Sequence, residues 1–236
     1  MDSKHIHAAF DEEITKITTQ VMIMGGLVEN ALRQATKSLL RQDIERADQV
    51  IVQDNRVDLL EEQITVAAIE LLALRQPQAN DLRTIIAIMK IVTSLERVGD
   101  YARNIARRTP EVANVISVKD FGSGSIKRLS KSVVLQIKTS LDSFMEKDID
   151  QAQGVIDRDE EIDQMYNSLF REFLTHMMED PRNISTTMHY LFIAKNLERI
   201  GDHTTAIAEQ VIYMISGSIP KDGRPKLVST SYDELL

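Results

Sequence analysis

The chain is predicted to be all-α, folded as two tandem, pseudo-symmetric three-helix bundles with six helices in all. Three observations predict this. The segment Leu95-Glu96-Arg97-Val98-Gly99-Asp100 returns as Leu197-Glu198-Arg199-Ile200-Gly201-Asp202, 102 residues later in a chain of 236 and identical at five of six positions. Such a repeat at nearly half the chain length marks a duplication. Apolar residues keep helical spacing, strand-like alternation is absent, and aromatics make up only 5% of the chain. All five prolines (Pro77, Pro110, Pro181, Pro220 and Pro225) fall between the periodic stretches, where a residue without an N–H punctuates rather than breaks a helix.

The helices are placed at about 10–40, 44–74, 79–108, 125–145, 149–178 and 183–216, with ends uncertain by about 2–4 residues. In the second, Val50, Val57, Ile64 and Leu71 recur every seven residues; in the third, Leu82, Ile85, Met89 and Val92 form a stripe; in the fifth, Val155, Ile162 and Leu169 do the same. Arg41-Gln42-Asp43-Ile44 matches Glu146-Lys147-Asp148-Ile149, and each reads as a tight turn with Asp as the cap of the next helix. Gly122-Ser123-Gly124-Ser125 is read as a linker. The units are then residues 1–118 and 119–216, each a three-helix repeat, followed by a flexible tail at 217–236 with two Pro and two Gly. Short loops favour antiparallel packing within each unit.

The bulk numbers exclude several classes. With 43% apolar residues the chain can bury a core; its net charge of −8 argues against a nucleic-acid surface. There is no cysteine, hence no disulfide, no thiolate metal site and no cysteine nucleophile. No apolar run approaches the roughly 18 residues of a membrane span, and Met1 to Phe10 lack a signal pattern. A soluble cytoplasmic protein is expected, reaching a membrane only through partners.

The repeated segment carries Glu-x-x-x-Asp, and residues four apart share one helix face. One such acidic pair means little, since about five would arise by chance at this composition. Register adds to it. The preceding helix holds Asp54-x-x-x-Asp58. Asp58 lies 19 residues before Pro77 and Glu96 lies 19 after it; Asp54 lies 23 before and Asp100 lies 23 after. An antiparallel hairpin of straight helices brings these four carboxylates level. In the second half Asp159 and Asp163 precede Pro181 by 22 and 18 residues, and Glu198 and Asp202 follow it by 17 and 21.

Four close carboxylates repel one another, and three remedies are open. They can share protons. They can pair with Arg97, Arg199 or another base. Or they can bind a hard divalent cation such as Mg²⁺, Mn²⁺, Ca²⁺ or iron, singly or as a cluster, for which oxygen ligands are preferred. Gly99 and Gly201 point to close approach of another helix or room for a metal-bound group. His203, beside Asp202, is a further ligand or a seam residue. The Glu-x-x-His of di-iron bundles is missing beside these acids, as are His-Glu-x-x-His, a phosphate-cradling glycine loop and Gly-x-Ser-x-Gly.

At these residues the chain resembles the PhoU family, accessory regulators of bacterial phosphate-specific transport, over about residues 5–216. The paired motifs are Asp54, Asp58, Glu96 and Asp100, then Asp159, Asp163, Glu198 and Asp202. Arg75-Gln76-Pro77 followed by Asp81-Leu82-Arg83 is similar to the family's hairpin, whereas the second half reads Glu179-Asp180-Pro181 and has Ala206 where the first has Asn104. The resemblance implies a negative regulator of the phosphate-starvation response. Such a protein is an adaptor between the ATPase subunit of a phosphate ABC transporter and the phosphate sensor histidine kinase. It also implies divalent metal (Mg, Mn or Fe) at those eight acids, a homodimer, and peripheral association with the inner membrane. A non-enzymatic adaptor is the leading expectation, in keeping with long amphipathic helices and no nucleophile constellation. The alternatives are a carboxylate-bridged metal-dependent hydrolase or oxidase and a plain structural bundle.

Overall fold

The computed structural model describes residues 2–113 and 122–220. Nine α-helices are present among them: α1 (Asp2–Arg41), α2 (Ile44–Gln53), α3 (Asn55–Arg75), α4 (Ala79–Arg107), α5 (Thr109–Ala113), α6 (Ser123–Glu146), α7 (Ile149–Asp157), α8 (Asp159–Glu179) and α9 (Ile184–Ser216), with a 3₁₀ turn at Pro181–Asn183. Taken as arms, α2–α3 and α7–α8 are each one interrupted helix, so six helical arms form two three-helix bundles.

Each long helix forms because one side of it is apolar at helical spacing. In α1 that side is Ile17, Val21, Met24, Val28, Leu32, Ala35 and Leu39, all buried. In α4 it is Ile85, Ile88, Val92, Leu95, Val98 and Ala102, and in α9 Tyr190, Ile193, Leu197, Ile200, Ile207 and Val211. The turn after α1 is built as the sequence implies. Gln42 adopts φ 56°, the Asp43 N–H bonds the Ser38 carbonyl at 2.9 Å, and the Asp43 carboxylate accepts from the Arg46 N–H at 3.0 Å. This closes one helix end and caps the next. The second repeat copies it: Lys147 has φ 53°, Asp148 N–H bonds Ser143 O at 3.0 Å, and Asp148 accepts from Gln151 N–H at 3.0 Å.

Two sequence expectations are corrected. The second and fifth helices are not continuous: α2 gives way to α3 at Asp54, and α7 to α8 at Arg158. Both residues keep right-handed helical angles (φ −58°, ψ −35° for Asp54; φ −80°, ψ −10° for Arg158). The ladder there tightens to i→i+3, with Val57 N–H to Asp54 O at 2.8 Å and Glu161 N–H to Arg158 O at 3.1 Å. No Pro or Gly marks either break, so periodicity alone cannot find it. The supposed linker is also helical in part. Gly122 takes φ 70° and Ser123 to Ser125 form the first turn of α6. Residues 114–121 and the tail from 221 onward lie outside the described residues.

The two bundles meet along α4 and α9, which run antiparallel. Tyr101 lies against His203 with ring centroids 5.7 Å apart. Toward one end Arg83 lies by Gly217, and toward the other Arg108 lies 3.2 Å from His189. Tyr101 and His203 are the same position of the two repeats, 102 residues apart. An approximate two-fold axis therefore passes between them. Among the described residues no helix is long and apolar enough to cross a membrane.

Candidate carboxylate site

The first acids of each quartet sit at the helix breaks. Asp54 sits at the α2–α3 break and Asp58 one turn later, while Glu96 and Asp100 are one turn apart on α4. Asp54 is buried at 5% exposure because it faces the one place on α4 that has no side chain. A Cβ on Gly99 would lie 3.1 Å from Asp54 Oδ1 and 3.2 Å from Val57 Cγ1. The second repeat is built the same way. Asp159 is buried at 8%, and a Cβ on Gly201 would lie 3.2 Å from Ile162 Cγ2 and 3.5 Å from Asp159 Oδ1. The glycines thus serve close approach of the neighbouring helix together with its acid. Asp58 and Asp202 are exposed, and Glu96, Asp100, Asp163 and Glu198 are partly covered.

The predicted quartets do act on one another. Burial, then repulsion from Asp100, lifts the Glu96 carboxyl to about 7, with a hydrogen bond to Asp100 and the charge of Asp58 adding to it against the pull of Arg97. Burial, then Asp202, lifts Glu198 to about 7, opposed by Lys195 and aided by Asp163. Burial also raises Asp54, with the guanidinium of Arg103 pulling back and Asp58 and Asp100 pushing up. Near neutral pH each repeat therefore holds a glutamic acid about half protonated, as close carboxylates require. His203 is pushed down by burial and by Arg97.

The bases that serve the acids differ from those read in the sequence. Arg97 does reach its own helix, at 3.5 Å from Glu96 and 3.3 Å from Asp100, but is half exposed. Arg199 instead lies over the Tyr101 ring, 5.9 Å from its centroid. The base that sequence reasoning missed is Arg103, which pairs with the buried Asp54 carboxylate and with Asp100 at 2.5 Å. Its signal was present: it follows Asp100 by three residues, one helical turn. In the second repeat Lys195 pairs with Glu198 Oε1 at 3.0 Å, while Glu198 Oε2 is buried with no hydrogen-bond partner.

An all-oxygen donor set is the kind a hard divalent cation prefers. The first quartet has a guanidinium between two of its acids. In the conformation described, no group of three or more His, Asp or Glu side chains among the described residues stands arranged to hold a metal ion. An ion would have to draw the acids together.

The model of the PhoU domain family matches residues 21–109 and again 126–211, so both quartets lie inside matched segments. The chain belongs to the PhoU family. It is 44% identical over 231 residues to a phosphate-specific transport system accessory protein PhoU homolog of Rhizobium meliloti, covering 98% of this chain and 97% of that one. A homolog of the same description from Caulobacter vibrioides is 42% identical, over 95% and 97%. The crystal structure of PhoU from Pseudomonas aeruginosa is similar, with a TM-score of 0.86 at 37% identity, covering 89% of this chain and 100% of that chain. That of the phosphate transport system regulatory protein PhoU from Streptococcus pneumoniae gives 0.83 at 28% identity, over 90% and 99%. In this PhoU-family chain the two-domain match and the approximate two-fold between α4 and α9 describe the same duplication.

Proposed function

We propose that the chain is a negative regulator of the phosphate-starvation response. It acts as a non-enzymatic adaptor between the ATPase subunit of a phosphate ABC transporter and the phosphate sensor histidine kinase. It works as a homodimer in the cytoplasm and reaches the inner membrane through those partners. The observation that carries this reading is the family match across both repeats, together with relatives described as accessory proteins of phosphate-specific transport.

The surface supports an adaptor. Helix α3 carries a row of exposed apolar side chains on its outer side. Val52, just before the α2–α3 break, is 68% exposed, and Leu59, Val66 and Ile69 follow at 55%, 49% and 51%. In the second repeat the matching positions are Asp157, Gln164, Arg171 and Leu174. The duplicated scaffold therefore does not require this stripe. A row of exposed apolar side chains is ordinarily covered, and a helical segment of a partner is the cover that suits it.

The family's metal enters the same reading. Asp54, Asp58, Glu96 and Asp100 in the first repeat and Asp159, Asp163, Glu198 and Asp202 in the second would hold divalent Mg, Mn or Fe ions. Their charge would neutralise each seam and tie α3 to α4 and α8 to α9. The adaptor reading is tested by a phosphate-responsive reporter in a strain lacking the protein. The wild-type chain should restore repression in high phosphate, and Leu59→Glu with Val66→Glu should not. Gln164→Glu with Arg171→Glu, on the other repeat, should behave as wild type. Full repression by the stripe variant would remove the adaptor surface, and turnover that tracks metal loading would replace the adaptor with an enzyme.

A further inference from the structure

We infer that the trough between α1 and α3 seats an amphipathic helix of a partner protein, apolar on one face and flanked there by Lys or Arg. This rests on the adaptor reading above and names the partner element that its surface takes.

The trough is a groove of about 590 Å³. Ile17 and Leu71, both buried, form its floor, and Leu74, 78% exposed, stands at its lip. The two helices run antiparallel here, with Arg75 on Glu13 at 3.0 Å. Ten residues onward along α1 comes Ile23, and nine back along α3 comes Val66, so these two stand level. Ile23 is one turn on from Thr19 and Val66 one turn before Glu70, and both Thr19 and Glu70 line the groove. Residues four apart share a helix face, so the walls continue apolar to Ile23 and Val66, which are 53% and 49% exposed. From Val66 to Leu74 is about 12 Å at 1.5 Å per residue. That length suits apolar side chains at i, i+4 and i+7 of one incoming helix.

The second repeat supplies a comparison within the same molecule. Its α6–α8 groove, about 420 Å³, opens between the corresponding pair of helices, where residues 105 apart match as Asp43 and Asp148 do. Arg128 there stands for Ile23, Arg171 for Val66, Glu172 for Ala67 and Glu179 for Leu74. A groove at this seam can thus be polar without loss of the fold, and packing within the bundle does not account for the apolar one. The charge beside the trough is one-sided as well. Its cations are already engaged, Lys16 by Glu12 at 2.9 Å and Arg75 by Glu13. Glu62 and Glu70 lie one turn either side of Val66 and are exposed; neither enters an ion pair among the described residues. A helix seated on the apolar floor therefore meets uncompensated carboxylates at its flank, which sets the sign of the charge it carries.

The test uses the full chain and two labelled synthetic helical peptides, each with Leu along one face and either Lys or Glu on the flanks. Dissociation constants are read by fluorescence anisotropy at about 0.15 M ionic strength, where long-range attraction is screened. Wild type should bind the Lys peptide about tenfold tighter than the Glu peptide. Ile23→Arg with Val66→Arg, which copies the second repeat, should weaken the Lys peptide by about tenfold. Glu62→Gln with Glu70→Gln should weaken it several-fold. Glu161→Gln with Glu172→Gln, the same charge removed from the second groove, should leave it unchanged. Equal affinity for the two peptides, or equal losses in the two glutamine variants, overturns the inference. So does a wild-type dimer in sedimentation that Ile23→Arg with Val66→Arg dissociates, which gives the trough to a second copy. Absence of peptide binding, with repression still lost in Leu59→Glu with Val66→Glu, overturns the inference and leaves the adaptor reading standing. Selective Lys-peptide binding with full repression supports the chemistry of the seat and sinks the adaptor reading. Should Ile23→Arg with Val66→Arg fail to fold, the two glutamine variants decide alone.

Discussion

Glu198→Gln in metal-free protein probes the physics of the seam most directly. The wild-type carboxyl titrates at about 7 in the folded chain against a usual 4.5, raised first by burial. The folded state therefore binds more protons than the unfolded one between those values, and unfolding free energy falls as pH rises through that window. The contribution is fully present below pH 4.5 and gone above about 7. The steepest slope is about 1.4 kcal/mol per pH unit for one group. Since 14% of the side chain is exposed, the whole effect is about 2–3 kcal/mol after allowing for solvent. Gln has nearly the same shape and no charge to desolvate. The variant should match the wild type near pH 5 and exceed it by about 2 kcal/mol at pH 8. Urea unfolding with a chelator from pH 5 to 8.5 measures this as a difference, which matters because His203 works against the trend. Its depressed pKa gives stability present above the usual 6.5 and lost as pH falls through its folded value. Asp180, held at about 2 by Arg182, acts only below the usual carboxylate range. Parallel pH profiles for wild type and variant would refute the account of a desolvated, half-protonated Glu198.

Arg103→Met should cost about 3 kcal/mol, because Asp54 is left buried with its strongest partner removed; a thermal melt at pH 7 that falls by less than about 3 °C would contradict this. The helical glycines separate two roles that their sequence does not distinguish. Gly26 and Gly154 have no atom within 4 Å of an added Cβ, so Gly26→Ala and Gly154→Ala should each stabilise by about 0.5–1 kcal/mol. Gly99→Ala should destabilise, because its Cβ meets an Asp54 held by Arg103 and a Val57 packed in the core. Denaturant midpoints of the three variants check the signs.

The fold was legible because its signals are long-range and redundant: a six-residue repeat, matched turns at Asp43 and Asp148, and prolines between the periodic stretches. The level meeting of the acids was legible from counting away from Pro77 and Pro181, since a hairpin of helices converts equal counts into equal heights. What escaped were features set by tertiary contact. The breaks at Asp54 and Arg158 carry no Pro or Gly, and a tightened turn looks like ordinary helix in the sequence. Arg97 was favoured as the neutralising base because it lies within the repeat. Arg103 lies just outside it, and its role depends on a long side chain folding back one turn toward a buried acid on another helix.

That failure is informative about the molecule, because the repeat segment conserves the wrong base for the task. Arg97 and Arg199 are identical in the duplicated segments, yet Arg199 lies over Tyr101 across the bundle interface, and Arg97 acts on His203 there as well as on its own acids. Their shared location is the approximate two-fold between α4 and α9, so this pair belongs to the joint between bundles. Neutralising the acids falls to residues outside the duplicated core, Arg103 in one half and Lys195 in the other, where the halves differ. Asp100 is one residue from Tyr101, and Asp202 is one residue from His203. Each seam therefore lies beside the joint, one residue away on the same helix.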